Sequence, residues 1–73
     1  MLACILICTE SGKFEDALEA LKKIRGVKRA FPTAGRWDLV AEVEAADVKT
    51  LGETSMKIHA LPGVRATETL VGF

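Results

Sequence analysis

The densest group of side chains that could do chemistry lies at Gly35-Arg36-Trp37-Asp38. A glycine turn exposes backbone N–H groups, and here they stand beside a cation, an aromatic ring and a carboxylate. Such a turn can bind a zwitterion, because Arg36 and the loop amides would take its carboxylate and Asp38 its ammonium group. The same residues leave a structural interpretation open, in which Asp38 closes a hairpin and Trp37 fills the core.

A second group consists of Thr67 and Thr69, whose hydroxyls share one face of a predicted strand while Glu68 lies on the other. Hydroxyls can donate hydrogen bonds to a small ligand or accept them from it. β-branched residues are also ordinary strand material, so a purely structural role stays open for both threonines. Both interpretations stay open at this point for all six candidate residues: Gly35, Arg36, Trp37, Asp38, Thr67 and Thr69.

Side chains suited to catalysis or metal binding are sparse. The one histidine, His59, has no serine, cysteine or carboxylate at catalytic spacing, and we interpret it as a surface residue near the end of a helix. Cys4 and Cys8 would share one face of a strand about 13 Å apart, too far for a disulfide, and we expect reduced thiols in the core. No catalytic residue, metal site or cofactor is predicted.

The chain consists of two similar halves, and the helices and strands of these halves must position the groups named above. The segment GVKRA at residues 26–30 returns in weaker form as GVRAT at residues 63–67, 37 positions later. Before each glycine, apolar residues recur at helical spacing, and before each helix lies a strand-like run. The predicted class is therefore α+β, a ferredoxin-like βαββαβ fold in which a four-stranded antiparallel sheet carries two helices on one face.

The predicted strands cover residues 2–9, 27–34, 37–45 and 64–71, and the predicted helices cover residues 13–25 and 48–59. Pro32 cannot donate a ladder hydrogen bond, which predicts that the second strand lies at an edge of the sheet or has a bulge. Gly26 suits the end of the first helix, and Ser11 or Thr9 could cap its start.

The second helix has a clear start and a thinner apolar stripe. Asp47 is its predicted N-cap, and Gly52 in its interior predicts a close backbone approach. The residues predicted to face the sheet are Val48, Leu51, Ser55 and Ile58.

Size and hydropathy predict self-association. Residues 1–73 form one domain, and an isolated core of this size supplies only about 3 to 5 kcal/mol. Apolar residues make up 49% of the chain, more than two helices and one sheet face can bury. The first strand, LACILIC at residues 2–8, is apolar on both faces, so we expect the sheet of a second subunit to cover its outer face.

Charge and the N-terminal sequence limit the partners. Ten acidic residues balance ten basic ones, so the domain lacks the attraction to phosphate that dominates nucleic-acid affinity, and we expect no direct DNA binding. The apolar run at residues 2–8 is too short to span a membrane and lacks the basic leader of a signal peptide. This predicts a cytoplasmic protein without membrane contact.

Three sequence patterns carry a resemblance to a known family: I-x-G-V-x-x-A at residues 24–30, G-x-W-D-L-V at residues 35–40 and L-P-G-V-x-x-T-x-T at residues 61–69. They are similar to the C-terminal effector-binding domain, called RAM, of the Lrp/AsnC (leucine-responsive and asparagine-responsive) regulators. Most members have tyrosine at the position of Trp37. Those regulators carry an N-terminal helix-turn-helix domain for which this chain leaves no room, so it resembles a stand-alone RAM protein.

The resemblance implies a function. Family domains pair through their sheets into homodimers, and dimers form rings, commonly octamers or decamers, with a small effector, usually an amino acid, in clefts between dimers. By this resemblance the turn at residues 35–38, Thr67 and Thr69 would line such a cleft. Ligand-dependent assembly would then modulate transcription, with full-length Lrp/AsnC regulators as further partners.

Two alternatives remain from the sequence. One is a small dimeric ferredoxin-like enzyme such as a monooxygenase, for which Trp37 and His59 are the candidate residues. The other is a structural subunit that joins mixed oligomers and sets their stoichiometry.

Overall fold

A computed structural model describes residues 1–72 and has the predicted element order, βαββαβ. Phe73, the last residue of the predicted domain, lies outside the described residues. The elements are β1 (Leu2–Thr9), α1 (Phe14–Lys22), β2 (Val27–Pro32), β3 (Leu39–Glu44), α2 (Val48–His59) and β4 (Val64–Val71). The predicted bounds of β1, α2 and β4 are confirmed, whereas α1, β2 and β3 are shorter than predicted.

The four strands form one antiparallel sheet in the order β2-β3-β1-β4. β1 therefore lies inside the sheet, between one strand from each half of the chain. β2 is an edge strand, as Pro32 predicted, and it ends there because proline has no backbone N–H to continue the ladder. β4 forms the opposite edge.

One face of the sheet forms the core together with both helices, as predicted. Alternate residues of β1 and β3 are buried there, because successive side chains of a strand point to opposite faces. No helix within residues 1–72 is both long enough and apolar enough to cross a membrane. The principal core residues are Ala3, Ile5, Ile7, Ala17, Leu21, Leu39, Ala41, Val43, Leu51 and Ile58.

α1 starts later and ends earlier than its apolar stripe predicts. Lys13 occupies the N-cap position without a side-chain hydrogen bond, so neither Ser11 nor Thr9 caps the helix. Thr9 instead donates its hydroxyl to Asp38. Gly26 follows the helix with φ +97°, the left-handed conformation predicted for it.

α2 faces the sheet with three of its four predicted residues, since Leu51 and Ile58 are buried and Ser55 is half-buried. Asp47 accepts from the Thr50 N–H at 2.8 Å and caps the helix, as predicted. Val48 is 70% exposed, so its predicted place facing the sheet is wrong. Thr54, which was not predicted to face the sheet, is buried, and its hydroxyl is satisfied there because it donates to the Thr50 carbonyl of the same helix. The close approach predicted at Gly52 is also wrong, because nothing lies within 4 Å of a Cβ built there.

Two glycine substitutions test this account of the helices. Gly52→Ala is expected to raise the free energy of unfolding by about 0.5 to 1 kcal/mol, because alanine loses less backbone entropy in an exposed helix interior. Gly26→Ala is the matched control and should destabilise, because its φ is positive and its Cβ would lie 3.3 Å from the Glu44 carbonyl oxygen. Urea unfolding measures both changes. A destabilising Gly52→Ala would contradict the open position of that residue.

The second face of the sheet, called the outer face, is uncovered in a single chain. It carries an ion pair, Arg29 Nε to Glu42 Oε1 at 3.1 Å, and the Arg29 guanidinium lies 4.8 Å from the centre of the Phe31 ring. Large apolar side chains are exposed on it, Leu2 at 59% and Leu70 at 47%. Its apolar residues, by strand register, are Leu2, Cys4, Leu6, Cys8, Phe31, Val40, Ala66 and Leu70.

Both cysteines lie on the outer face, so their predicted place in the core is wrong. Cys4 is exposed, Cys8 is half-buried, and both thiols are free in the described part of the chain. The alternation of β1 buries Ala3, Ile5 and Ile7 and turns the residues between them outward. An unbroken apolar run does not show which of its two faces meets the helices.

Candidate functional site

The turn between β2 and β3 holds four of the six predicted site residues. Thr33 closes it, because its hydroxyl donates to the Trp37 carbonyl at 2.5 Å and its N–H donates to the Asp38 carbonyl at 2.9 Å. Gly35 has φ +113° and is exposed, as is Arg36, whereas Trp37 and Asp38 are half-buried. The turn is therefore a closed loop that presents Gly35 and Arg36 to solvent.

Asp38 ties this turn to the end of β1. Its Oδ2 accepts from the Thr9 N–H at 2.7 Å and from the Thr9 hydroxyl at 3.2 Å, and its own N–H donates to the Ile7 carbonyl at 2.9 Å. The pKa of Asp38 is held below its ordinary value, chiefly by the Thr9 N–H, with help from the Thr9 hydroxyl, the Cys8 thiol and the charge of Arg65. Asp38 thus holds the turn against the end of β1.

Removing this carboxylate tests its structural role. Asp38→Ala is expected to lower the free energy of unfolding at pH 7 by about 1 to 3 kcal/mol, because the two Thr9 donors lose a charged acceptor. Folding lowers the pKa of Asp38, so the stabilisation is present above the unfolded-state pKa of about 4 and is lost as the pH falls through the lower folded-state pKa.

The measurement is urea unfolding of the unmodified chain and of the Asp38→Ala variant between pH 7 and pH 2. The difference between them should shrink below about pH 4, and a difference that does not change with pH would contradict this role. Glu19→Ala, on the exposed surface of α1, is the control and should change stability by less than about 0.5 kcal/mol.

The other two predicted residues lie beside α2. Thr69 Oγ1 is 2.6 Å from Ser55 Oγ, and Thr67 Oγ1 is 3.3 Å from His59 Nδ1. These side chains border an open cavity of about 450 Å³, a volume within the range of small-molecule sites. This α2–β4 cavity is lined by Ser55, Met56, His59, Ala60, Thr67 and Thr69.

Two local periodicities bring these side chains together. Ser55 and His59 are four residues apart and lie on one side of α2, and Thr67 and Thr69 are two apart and lie on one face of β4. The register of β4 places both threonines opposite core residues of β1, and Glu68 opposite an outer-face residue. The two hydroxyls therefore face the helix, as the alternation of the strand predicts.

Backbone groups of β4 also face the open edge beside this cavity. In an antiparallel ladder, opposed residues alternate between pairs that exchange hydrogen bonds and pairs that do not. Gly72 N donates to the Leu2 carbonyl at 2.6 Å, so the even-numbered residues of β1 exchange hydrogen bonds with β4. Thr67 and Thr69 oppose odd-numbered residues, and their N–H and C=O groups therefore point away from β1, toward the free edge.

The sequence predicts only part of this cavity. Ser55 faces the sheet side of α2 and His59 is an exposed residue at the helix end, both as predicted, but their pairing with the threonines was not predicted. Met56 and Ala60 were not singled out. The available signal is the spacing of the side chains: Ser55 and His59 are four residues apart on a helix, and Thr67 and Thr69 are two residues apart on a strand. Four residues of helix and two residues of strand cover similar lengths, so the two pairs can lie side by side.

The two groups of predicted residues do not meet within one chain. β1 lies between β3, which follows the turn, and β4. In the described part of the chain, no side-chain hydrogen bond joins residues 35–38 to Thr67, to Thr69 or to α2. A site that used all six residues would need the turn of one copy beside the cavity of another.

A second cleft, of about 400 Å³, lies between α2 and the end of α1. Charges of both signs line it, Arg25 and Lys57 against Glu44 and Glu53, and Glu44 Oε2 is bonded to the N-terminal amine at 2.7 Å. Across residues 1–72, no three His, Cys, Asp or Glu side chains are grouped so that they could hold a metal ion.

Comparison with known proteins identifies the family. The family model for the Lrp/AsnC ligand binding domain matches residues 2–73. The chain belongs to the Lrp/AsnC family. The resemblance read from the three sequence patterns is thereby confirmed.

The relatives of this Lrp/AsnC domain are regulators of about twice its length and solved chains of similar length. The HTH-type transcriptional regulator FL11 of Pyrococcus abyssi is 30% identical over 71 residues, 97% of this chain and 47% of the relative. The structure of Escherichia coli AsnC is 26% identical with a TM-score of 0.86, over 94% of this chain and 48% of AsnC. The structure of TTHA0845 from Thermus thermophilus is 33% identical with a TM-score of 0.93, over 99% of this chain and 91% of that chain.

Proposed function

We propose that this Lrp/AsnC domain binds an amino acid or a related metabolite in the α2–β4 cavity, and that binding controls the assembly of copies that modulate transcription. The observation that carries the proposal is the cavity, where two hydrogen-bonded side-chain pairs stand beside open backbone groups of β4. A free amino acid needs donors for its carboxylate and acceptors for its ammonium group. The N–H and C=O groups of Thr67 and Thr69 offer both kinds.

The family supports the regulatory part of the proposal. The matching model describes a ligand binding domain, and FL11 is named a transcriptional regulator. A ligand shifts assembly only by binding one assembled state more tightly than another. A site shared between copies supplies that difference, because the complete set of contacts exists only in the assembly.

The outer face supports assembly through the sheets. Its apolar side chains would lie in water in a single chain, and contiguous apolar surface of this kind is typical of protein contacts. In the proposed homodimer, the outer faces of two copies cover each other. Dimers then form a ring of eight or ten chains.

The turn at residues 35–38 supports a site that two copies share. Arg36 and the Gly35 backbone are exposed, and in the proposed ring they would contact a ligand carboxylate in the cavity of a neighbouring dimer. Trp37 would cover the ligand. Asp38, held by Thr9, keeps the turn in the shape that this contact needs.

The proposed domain is non-catalytic and makes no direct DNA contact. FL11 is named a transcriptional regulator, and among the described residues the His59 ring bonds to the Thr67 hydroxyl and not to a carboxylate that would activate it. Its charges balance, which gives no general attraction to DNA. Its effect on transcription would pass through full-length Lrp/AsnC regulators that join the same assemblies.

Titration calorimetry against the twenty amino acids, combined with light scattering, tests ligand binding. At least one amino acid is expected to bind and to change the measured mass. Thr69→Val keeps the shape of the side chain but removes the hydroxyl bonded to Ser55, and it should weaken binding by about tenfold. Glu15→Gln, on the exposed surface of α1, is the control and should bind as the unmodified chain does. No heat and no mass change with any of the twenty would contradict the proposal.

A lysine in the middle of the outer face tests assembly. Leu6→Lys is expected to raise the dimer dissociation constant by about 100-fold or more, because a charge would be buried between two sheets. The lysine would lie opposite Glu68 on the neighbouring strand, so the single chain should keep its fold by circular dichroism. Ala46→Lys, on an exposed loop, is the control. Sedimentation equilibrium makes the measurement, and an unmodified chain that is monomeric at micromolar concentration would rule out the sheet contact.

A further inference from the structure

We infer that dimers join through the exposed side of α2, where the helix of one copy packs antiparallel against the same helix of a second copy with Gly52 at the centre. The inference rests on the assembly proposed above and assigns the surface that links its dimers. Three observations carry it: apolar side chains that the sheet contact leaves uncovered, an open backbone between them, and flanking charges that complement themselves in the antiparallel pairing.

Two apolar side chains of α2 lie in water. Val48 and Met56 are the most exposed large apolar residues among residues 1–72, at 70% and 73%. Together with Gly52, midway between them, they form the α2 stripe, because residues four apart follow one side of a helix. Leu51 and Ile58 of α2 pack into the core on the helix side of the sheet, so a dimer formed through the outer faces leaves the stripe uncovered. A contiguous apolar surface in water is typical of a contact site.

Gly52 leaves the middle of the stripe open. It is exposed, and nothing lies within 4 Å of a Cβ built there. A helix interior favours alanine over glycine, and the single chain has no contact at Gly52 that offsets this cost. The distance between two packed helices depends on the side chains at their point of contact. A second helix can therefore approach the backbone more closely at Gly52 than at the residues around it.

Antiparallel pairing around Gly52 brings complementary shapes together. Val48 and Met56 each lie four residues from Gly52, about 6 Å along the helix axis. Val48 of one copy therefore lies opposite Met56 of the second, and the same contact occurs twice. Met56 stands between two hollows, the α2–β4 cavity and one that it borders with Glu53 and Lys57, so a side chain of the second helix has space beside it. Ridges of one helix then lie in grooves of the other.

The charges beside the stripe complement themselves in the same pairing. Lys49 and Glu53 lie along one flank of the stripe, both are exposed, and neither has an ion pair within residues 1–72. A two-fold axis that makes two helices antiparallel sets each flank against the same flank of the other copy, in the reverse direction. Lys49 of each copy then lies near Glu53 of the other. Exposed pairs of this kind fix the orientation of a contact more than they add affinity.

The α2 contact and the sheet contact lie on opposite sides of the chain. Each joins a surface to its own copy, so chains that use both must alternate between them, and a closed assembly has an even number of chains. The proposed ring of dimers meets this condition. Met56 belongs to the α2 stripe and also lines the α2–β4 cavity, so a ligand in that cavity would border the contact between dimers.

A longer side chain at the centre of the stripe tests the contact. Gly52→Gln keeps a good helix former but places a long side chain between the two backbones. It is expected to raise the dissociation constant for the joining of dimers by about tenfold or more and to leave the dimers intact. Lys22→Gln, on the exposed surface of α1, is the control and should leave this constant within about twofold. Light scattering and sedimentation velocity of the full chain make the measurement.

Charge reversal tests the antiparallel orientation. Lys49→Glu and Glu53→Lys should each weaken the joining of dimers by about tenfold, because both ion pairs of the contact become repulsive. An equal mixture of the two variants should recover the larger assembly, since one chain then supplies two cations and the other two anions. Each variant helix still carries two like charges of its own, so pairing within one chain cannot produce this recovery. Lys22→Glu is the control for the change in net charge.

The outcomes separate this inference from the assembly on which it rests. Larger assemblies that persist in Gly52→Gln and in both charge variants overturn the inference, and they leave the proposed ring intact with another contact between its dimers. A mixture of the charge variants that stays dimeric overturns the antiparallel pairing. An unmodified chain that never exceeds a dimer, alone or with any of the twenty amino acids, overturns both the inference and the ring.

Discussion

The structure depends on β1, which pairs with β3 on one side and with β4 on the other. Its odd-numbered residues bury their side chains under the helices, and its even-numbered residues exchange backbone hydrogen bonds with β4 and point to the outer face. Because side chains alternate with a period of two, a slip of one residue would turn the core set outward. Full burial of Ile5 and Ile7 therefore holds the registers on both sides in place.

That shared strand also determines which groups of β4 face the proposed ligand site. Pairing with β1 turns the hydroxyls of Thr67 and Thr69 toward α2 and leaves their backbone groups at an open edge. It also keeps the turn at residues 35–38 on the other side of β1, apart from the cavity. Binding and assembly are coupled in the proposed function for this reason: the groups that a single chain holds apart come together only between copies.

The residues that identify the family and the residues that would contact the ligand overlap only in part. Asp38 belongs to one of the three sequence patterns, and its hydrogen bonds to Thr9 give it a role in folding. Gly63 belongs to another, and it has φ +87° and accepts from the Glu10 N–H at 2.8 Å. Ser55 and His59 line the cavity but lie in none of the patterns. In this chain the patterns thus contain residues that hold the fold, whereas Ser55 and His59, which line the proposed ligand site, lie outside them.

The sequence by itself determined the element order and the bounds of β1, α2 and β4, because apolar periodicity and the caps are set by residues close together in the chain. It did not determine which face of the apolar strand β1 turns inward, and so Cys4 was misplaced. It also did not show that Val48, at the start of α2, is exposed while Leu51 and Ile58 of the same stripe are buried.

Only the tertiary structure decided that Asp38 bonds to Thr9, 29 residues away, and that Ser55 and His59 meet the threonines of β4. The physical reason is that a local pattern establishes which residues share one face of a helix or strand. Which element that face then packs against depends on the register between segments that are distant in the sequence.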